Sequence, residues 1–265
     1  MLNTLTSKPS VLAIAGSDPS GGAGVQADLR TIHAHGCYGL GIITALTAQS
    51  TLGVQQVWPM RGEQVAGQAR ALLEDIMPSA LKVGMLGDAS AACGVIEALD
   101  LYGGGNIVVD TILLSSSGTA LLTASGIDIL FEIMRRATII TPNLPEARHL
   151  LGDNCAEPAA MAKALSEKCG GVSVLLKGGH SEGDMLTDIL YHAPAQHLIY
   201  ITHARVGTPN THGTGCTLSA ALASNLALGH PLPMAAQRAA DFVSKALTDG
   251  AALRLGHGHG PAFFG

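Results

Sequence analysis

Eight short apolar runs recur along the chain, at residues 11–16, 41–46, 80–86, 107–112, 138–141, 172–177, 188–192 and 198–203. Most are continuous rather than alternating, which is how strands read when helices cover both faces of a parallel sheet. Helix-length amphipathic segments fill the intervals at 22–35, 62–77, 89–101, 126–136, 145–151 and 157–169, and two more, 215–227 and 233–247, close the chain. This alternation predicts an α/β fold, a central, mostly parallel sheet flanked by helices on both faces. Residues 188–203 read as two adjacent strands, an antiparallel hairpin at the sheet edge. No linker or shift in composition interrupts the pattern, so residues 1–265 are expected to form a single domain.

Charge narrows the classes further. Asp, Glu, Lys and Arg make up 13% of the 265 residues, against roughly 25% in an ordinary domain. The net charge of −5 leaves no basic excess to pair with phosphates, so nucleic acid is not an expected partner. At 47% apolar residues the chain is too hydrophobic to be disordered. Two long stretches, 31–60 and 206–237, hold no Asp, Glu, Lys or Arg, and their basic side chains are limited to His33, His35, His212 and His230. Gln49, Gln55, Gln56, Asn210, Asn225, Pro231 and Pro233 break them up, so they read as buried structure and not as membrane spans, which need about 20 apolar residues. The apolar run at 11–15 meets Asp18 and Pro19 almost at once, too soon for a secretory signal core of ~7–15 residues. The five cysteines contain no C-x-x-C pair, which fits a reduced, cytoplasmic protein.

In sheets of this kind ligands bind beyond the carboxyl ends of the strands, and the polar and glycine-rich clusters lie there. The most informative is Asn210-Thr-His-Gly-Thr-Gly-Cys216, a loop that runs straight into a helix. Free backbone N–H groups and the helix dipole at such a start suit an anion. Cys216 in the first turn is expected to have a lowered thiol pKa and to serve as a base; the plainer reading is a helix cap with a small buried Cys. Asn143 and Glu146 fit either a Mg²⁺ site reached through water or a capping box. Lys177-Gly-Gly-His180 can neutralise phosphate, or simply end a strand on a solvated Lys. Asp110, at the end of an apolar run, can polarise a nucleophile, help hold a metal or cap the next segment. Asp28 and Gln49 together offer hydrogen bonds to a heteroaromatic ring. The eleven histidines show no H-x-x-x-H spacing, and His257-Gly-His259 reads as a flexible tail pair.

Taken together, Gly16-Ser-Asp-Pro-Ser-Gly-Gly-Ala-Gly-Val-Gln-Ala-Asp28, Thr44-Ala-Leu-Thr-Ala-Gln49, Lys82-Val-Gly-Met-Leu86, Thr141-Pro-Asn-Leu-Pro-Glu146, Lys177-Gly-Gly-His180, Asn210-Thr-His-Gly-Thr-Gly-Cys-Thr217 and Leu255-Gly-His-Gly-His-Gly-Pro261 resemble the hydroxymethylpyrimidine/phosphomethylpyrimidine kinases of thiamine biosynthesis, a branch of the ribokinase-like superfamily. The resemblance implies ATP and Mg²⁺ as cofactors, a small pyrimidine as substrate and often a homodimer. Residue by residue, it implies that Asp28, Gln49 and Met85 contact the pyrimidine, with Gly16 and Ile112 lining its pocket. Gly213, Thr214 and Gly215 would form the anion hole, and Cys216 would be the catalytic base. Asn143 and Glu146 would organise the metal. Asp110, Asn143, Lys177, Gly178, Gly179, Asp188 and Thr208 would face the nucleotide. The chain departs from the family pattern after Asp110, where Thr111-Ile-Leu-Leu-Ser-Ser-Ser-Gly118 replaces the usual Pro-Val-Met-Val and its following Lys or Thr, and at Pro209, where Lys is common. Two alternatives share the pocket chemistry: a pyridoxal or pyridoxine kinase, and a pyrimidine-binding protein without catalysis. A nicotinamide dehydrogenase fits the α/β pattern but not the glycine spacing, since Gly22-Ala-Gly24 lacks the third glycine.

Overall fold

A computed structural model describes residues 8–113, 124–152, 157–178 and 183–263. Its strands are β1 (Ser10–Ser17), β2 (Tyr38–Ser50), β3 (Gly53–Pro59), β4 (Ala80–Val83), β5 (Ile107–Val109), β6 (Ile139–Ile140), β7 (Ser173–Leu176), β8 (Met185–His192) and β9 (His197–Ala204). Its helices are α1 (Gly24–Ala34), α2 (Gly62–Leu73), α3 (Ala89–Tyr102), α4 (Ala124–Met134), α5 (Leu144–Leu151), α6 (Pro158–Lys168), α7 (Thr214–Ala227) and α8 (Leu232–Asp249). The strands join in one sheet of order β3-β2-β1-β4-β5-β6-β7-β8-β9. The run from β2 to β7 is parallel, and β3, β8 and β9 add antiparallel pairs at the two ends.

The continuous apolar runs are explained by burial on both faces. In β1, Leu12 and Ile14 face a core built with α2, α3, α4, α5 and α6, while Val11 and Ala13 face a second core built with α1, α7 and α8. Each fully buried Val, Leu or Ile among them contributes roughly 1.5–3 kcal/mol. The second core is rich in alanine where α7 meets α8, at positions 220, 221, 223, 235, 236, 239 and 240, so α7 lies close against both the sheet and α8. That close approach buries α7 on nearly every side and holds its amino terminus firmly over the ends of the strands.

The connections reverse direction at β1, which pairs with β2 on one side and β4 on the other. The loops leaving β1 and β4 diverge there and open the crevice in which α/β sheets bind ligands. The expected hairpin at 188–203 is present as β8 and β9, with Asp188 opposite Ile201.

Two sequence expectations need correction. β3 was not anticipated: Gln55, Gln56 and Pro59 are exposed, and its single pairing with β2 lets polar residues stand where a central strand would carry apolar ones. The His257-Gly-His259 segment is also not a loose tail. Gly258 N–H donates to Thr51 Oγ1 at 3.2 Å, His259 Nδ1 lies 3.1 Å from the Pro209 carbonyl, and Pro261 forms a bridge with His212. Among the described residues no helix is long and apolar enough to cross a membrane.

Candidate active site

The amino terminus of α7 forms the roof of the crevice. Gly213 precedes the helix with φ of +77°, and a Cβ at this position would stand 1.8 Å from the Gly22 carbonyl oxygen. Two loops are thus pressed together main chain to main chain, a packing that only glycine permits. No side chain caps this helix, and the N–H groups of Gly215 and Cys216 have no acceptor among the described residues. These donors, with Thr214 just before them, and the helix dipole make a ready anion site.

Beneath it lies a charged floor. Lys177 Nζ donates to Asp110 Oδ1 at 3.0 Å and stands 4.0 Å from Glu146 Oε2. Thr141 Oγ1 also donates to Asp110 Oδ1, at 3.1 Å. Burial pushes the Asp110 carboxyl up, but the Lys177 and Lys82 ammonium groups outweigh it and hold the carboxyl below its usual range. Burial likewise pulls Lys177 down, and Asp110 and Glu146 more than reverse this. A Cβ on Gly215 would lie 3.4 Å from Asp110 Oδ2 and 3.6 Å from Lys177 Nζ, so the cation sits directly under the anion site.

Asn143 and Glu146 do form the capping box that their spacing allowed. Asn143 Oδ1 accepts from Glu146 N–H at 2.8 Å, and Glu146 Oε2 accepts from Asn143 N–H at 2.9 Å. Glu146 also takes a hydrogen bond from Thr111 Oγ1 at 3.1 Å, a donor that the family's usual proline would not supply. Its Oε1 has no partner among the described residues. Burial raises the Glu146 carboxyl, with Lys177 working against it.

Cys216 is in the first turn of α7, but its thiol is not acidified. Burial pushes it up to about 11, and the Lys82 ammonium and the Gly24 N–H offset only part of that. The expectation of a lowered pKa is therefore corrected: desolvation exceeds the helix dipole. Asp28 is also placed differently from a ring contact. It is fully buried in α1, and Lys82 Nζ reaches both carboxylate oxygens, at 2.8 and 2.7 Å. Lys82, on β4, faces the alanine-rich side of the sheet, where this ion pair stands behind Cys216.

The side of the crevice where the resemblance would put the ring is small and apolar. Met85, Ala45, Val57 and Ile112 cluster apart from the two main cores. The Met85 side chain also covers Gly16, where a Cβ would meet its sulfur at 2.9 Å. Gln49, near the end of β2, lies 3.2 Å from His212 Nε2, and Asp18 Oδ2 lies 2.8 Å from the same nitrogen. Ala45, Val57, Asp18 and His212 were not singled out as site residues; His212 and Asp18 are 194 positions apart, and no local spacing links them.

On the nucleotide side, the Gly178 N–H donates to Asp188 Oδ1 at 2.7 Å, so Asp188 fixes the turn that follows Lys177. Thr208 Oγ1 accepts from Asn210 N–H at 3.1 Å, and the Asn210 amide ties the loop to the Gly250 and Leu253 carbonyls. Gly179, His180 and residues 114–117 lie outside the described residues.

Comparison with known proteins decides the family. The family model described as phosphomethylpyrimidine kinase matches residues 18–263. The chain belongs to this family. The hydroxymethylpyrimidine/phosphomethylpyrimidine kinase of Escherichia coli is 40% identical over 261 residues, covering 95% of this chain and 96% of that one. The Bacillus subtilis protein of the same name is 40% identical over 254 residues, covering 94% and 92%. Among solved structures, the phosphomethylpyrimidine kinase of Clostridium difficile is 36% identical with a TM-score of 0.77, covering 91% of this chain and 100% of that one. Staphylococcus aureus pyridoxal kinase in complex with ADP is 29% identical with a TM-score of 0.86, covering 97% and 94%. The chain is thus a phosphomethylpyrimidine kinase family member with the ribokinase-like fold that the motifs implied.

Proposed function

We propose that the protein phosphorylates 4-amino-5-hydroxymethyl-2-methylpyrimidine with ATP and then adds a second phosphate to the monophosphate, in thiamine biosynthesis. The observation that carries this reading is the uncapped start of α7, held over Lys177 and Asp110 beside the Gly16, Met85 and Ile112 cluster.

In this account the ring lies against Met85, Ile112 and Gly16, with Gln49 at its edge, and its hydroxymethyl group points to Cys216. Gly213, Thr214 and Gly215 surround the γ-phosphate. The alcohol oxygen forms a bond to phosphorus as the bond from phosphorus to the bridging oxygen breaks, and ADP leaves with that electron pair. Charge spreads over the transferred group's oxygens, so fixed N–H donors and the Lys177 ammonium do most of the work. Cys216, in its thiolate form, accepts the alcohol proton and becomes the thiol. Asp110 holds Lys177 in place, and Asp188 and Thr208 fix the main chain around the nucleotide. Asp28 acts from behind, as the counter-charge of Lys82.

The donor set suits Mg²⁺. Glu146 presents Oε1, which has no partner among the described residues, Asn143 orients that carboxylate, and Mg²⁺ usually binds through one or two carboxylates, waters and substrate phosphates. Bound there, it would neutralise phosphate charge. The same reading carries one kinase domain, a cytoplasmic location, a homodimer and no nucleic-acid partner.

The raised Cys216 thiol gives the reading a pH signature. With a pKa of about 11, the thiolate is scarce at neutral pH and increases about tenfold per unit below that value. Turnover should therefore climb from pH 7 towards pH 10, and Cys216→Ala should flatten the profile and lower kcat by ~10²–10⁴-fold. A flat wild-type profile, or unchanged turnover in the variant, removes Cys216 as the base. Pyridoxal is the second substrate to test, because the pyridoxal kinase of Staphylococcus aureus superposes with a TM-score of 0.86. Comparison of kcat/KM for the two substrates, side by side, should favour the pyrimidine; a preference for pyridoxal reverses the assignment.

A further inference from the structure

The side-chain amide of Gln49 is held at both ends. As placed, its Nε2 is 3.2 Å from His212 Nε2 and its Oε1 is 3.2 Å from Thr47 Oγ1. The two ends have nearly the same shape and opposite chemistry, so their order decides what Gln49 offers a ligand. The neighbouring protons fix that order.

Asp18 Oδ2 lies 2.8 Å from the same His212 Nε2. Its other partners are donors: Ser20 N–H at 2.9 Å, the Ser20 hydroxyl at 2.7 Å and Ala23 N–H at 2.9 Å. Burial raises the Asp18 carboxyl, but the hydrogen bonds from His212, Ser20 and Ala23 together hold it below the usual range. An ionised carboxylate only accepts, so His212 Nε2 carries a proton whether the ring is neutral or charged. A protonated Nε2 cannot accept from an amide NH₂ and must face the carbonyl end of Gln49. Thr47 requires the same order. Its hydroxyl lies 2.9 Å from the Ser17 carbonyl, which can only accept, so its single proton is committed there and its lone pair is left for a donor. With the amide turned over, Oε1 towards His212 and Nε2 towards Thr47, the single His212 proton is shared between Asp18 and the Gln49 carbonyl, and no donor faces another donor. One N–H of Gln49 then has no partner among the described residues.

We propose that Asp18, His212 and Thr47 are positioning residues that present Gln49 to the ligand as a hydrogen-bond donor, so that the site selects a heteroaromatic ring with an in-plane nitrogen acceptor at that edge. The ring-selection half rests on the pyrimidine reading above; the amide orientation does not. His212 is well anchored for this role. Its N–H donates to the Gly260 carbonyl at 3.1 Å, its carbonyl accepts from Ala262 N–H at 3.3 Å, and its ring packs against Gly22. The carboxyl-terminal segment thereby braces the residue that orients Gln49.

Two measurements test this. In the ligand-free wild type, nuclear Overhauser contacts should run from the Gln49 NH₂ protons to Thr47, and His212 Nε2 should resonate as a protonated nitrogen. Contacts from those protons to the His212 ring, or an unprotonated Nε2, overturn the orientation. Calorimetric titration with the hydroxymethylpyrimidine, without ATP, then compares the wild type with Gln49→Glu. Glutamate keeps an acceptor for His212 but has no donor for the ring, so binding should weaken on the order of 10- to 100-fold. Equal or tighter binding would mean that a carbonyl, not an N–H, meets the ring. Asp18→Asn is the second variant: it frees His212 from its fixed proton and should raise the pyrimidine KM about tenfold with kcat within about twofold. An unchanged KM removes Asp18 from the relay. A wild type that binds no pyrimidine while its amide protons sit on Thr47 sinks the pyrimidine reading and leaves the orientation standing.

Discussion

Gly213→Ala is expected to lower kcat by at least ~10²–10³-fold, the cost of losing an oriented backbone donor at an anion site. Two effects act together. At φ of +77° an alanine is strained by roughly 1–2 kcal/mol, and its Cβ would fall 1.8 Å from the Gly22 carbonyl oxygen. The flexible end of a side chain could move aside, but a backbone carbonyl cannot without displacing the loop that carries Asp18 and Gly24. The start of α7 must then shift away from Lys177 and Asp110. Gly67→Ala is the matched control: it lies within α2, and a Cβ there meets nothing within 4 Å. It should leave kcat unchanged and hold or slightly raise the melting temperature. Full turnover in Gly213→Ala, measured as ADP release, would contradict the anion site.

The second large effect is on stability. Lys82→Met should cost about 3–5 kcal/mol at pH 7, because it leaves the fully buried Asp28 carboxylate without its cation. Burial already lifts Asp28 from 3.8 to about 6, with Lys82 as the main opposing influence. The folded protein thus binds this proton more readily than the unfolded chain, and the carboxylate's burial penalty is relieved as pH falls from about 6 towards 3.8. Removing Lys82 raises the folded pKa further and moves the relief to higher pH. The deficit of Lys82→Met against the wild type should therefore be largest near pH 8 and shrink towards pH 5 in urea unfolding. The double variant Asp28→Asn, Lys82→Met should recover part of the loss, since a neutral pair carries no unpaired charge. A deficit that does not vary with pH, or a double variant worse than the single, would contradict the ion-pair account.

These two sites show what could be read in the residues and what could not. The Gly213–Cys216 helix start is local: a glycine loop running into a helix implies free N–H groups, and the structure places them over Lys177 and Asp110. The central strands were equally legible, because burial on both faces leaves continuous apolar runs. β3 was not, because an edge strand with one partner tolerates Gln55 and Gln56. The Asp28–Lys82 pair joins residues 54 positions apart across α1 and β4, and Asp28 read alone looked free to meet a ligand. The helix dipole alone implies an acidic Cys216, but burial dominates in the folded protein, and burial is a property of packing. At Asn143 and Glu146 capping and metal binding are compatible: the capping box forms, and Glu146 Oε1 keeps no partner among the described residues.

The central claim is phosphoryl transfer to a hydroxymethylpyrimidine and to its monophosphate at the start of α7. It is tested most directly by mass analysis of the products after incubation of the purified protein with ATP, Mg²⁺ and 4-amino-5-hydroxymethyl-2-methylpyrimidine. The expected result is a monophosphate that appears first and a diphosphate that replaces it, with one ADP released for each phosphate transferred and none in the absence of the pyrimidine. Pyrimidine binding without any ADP or phosphorylated product would contradict the claim.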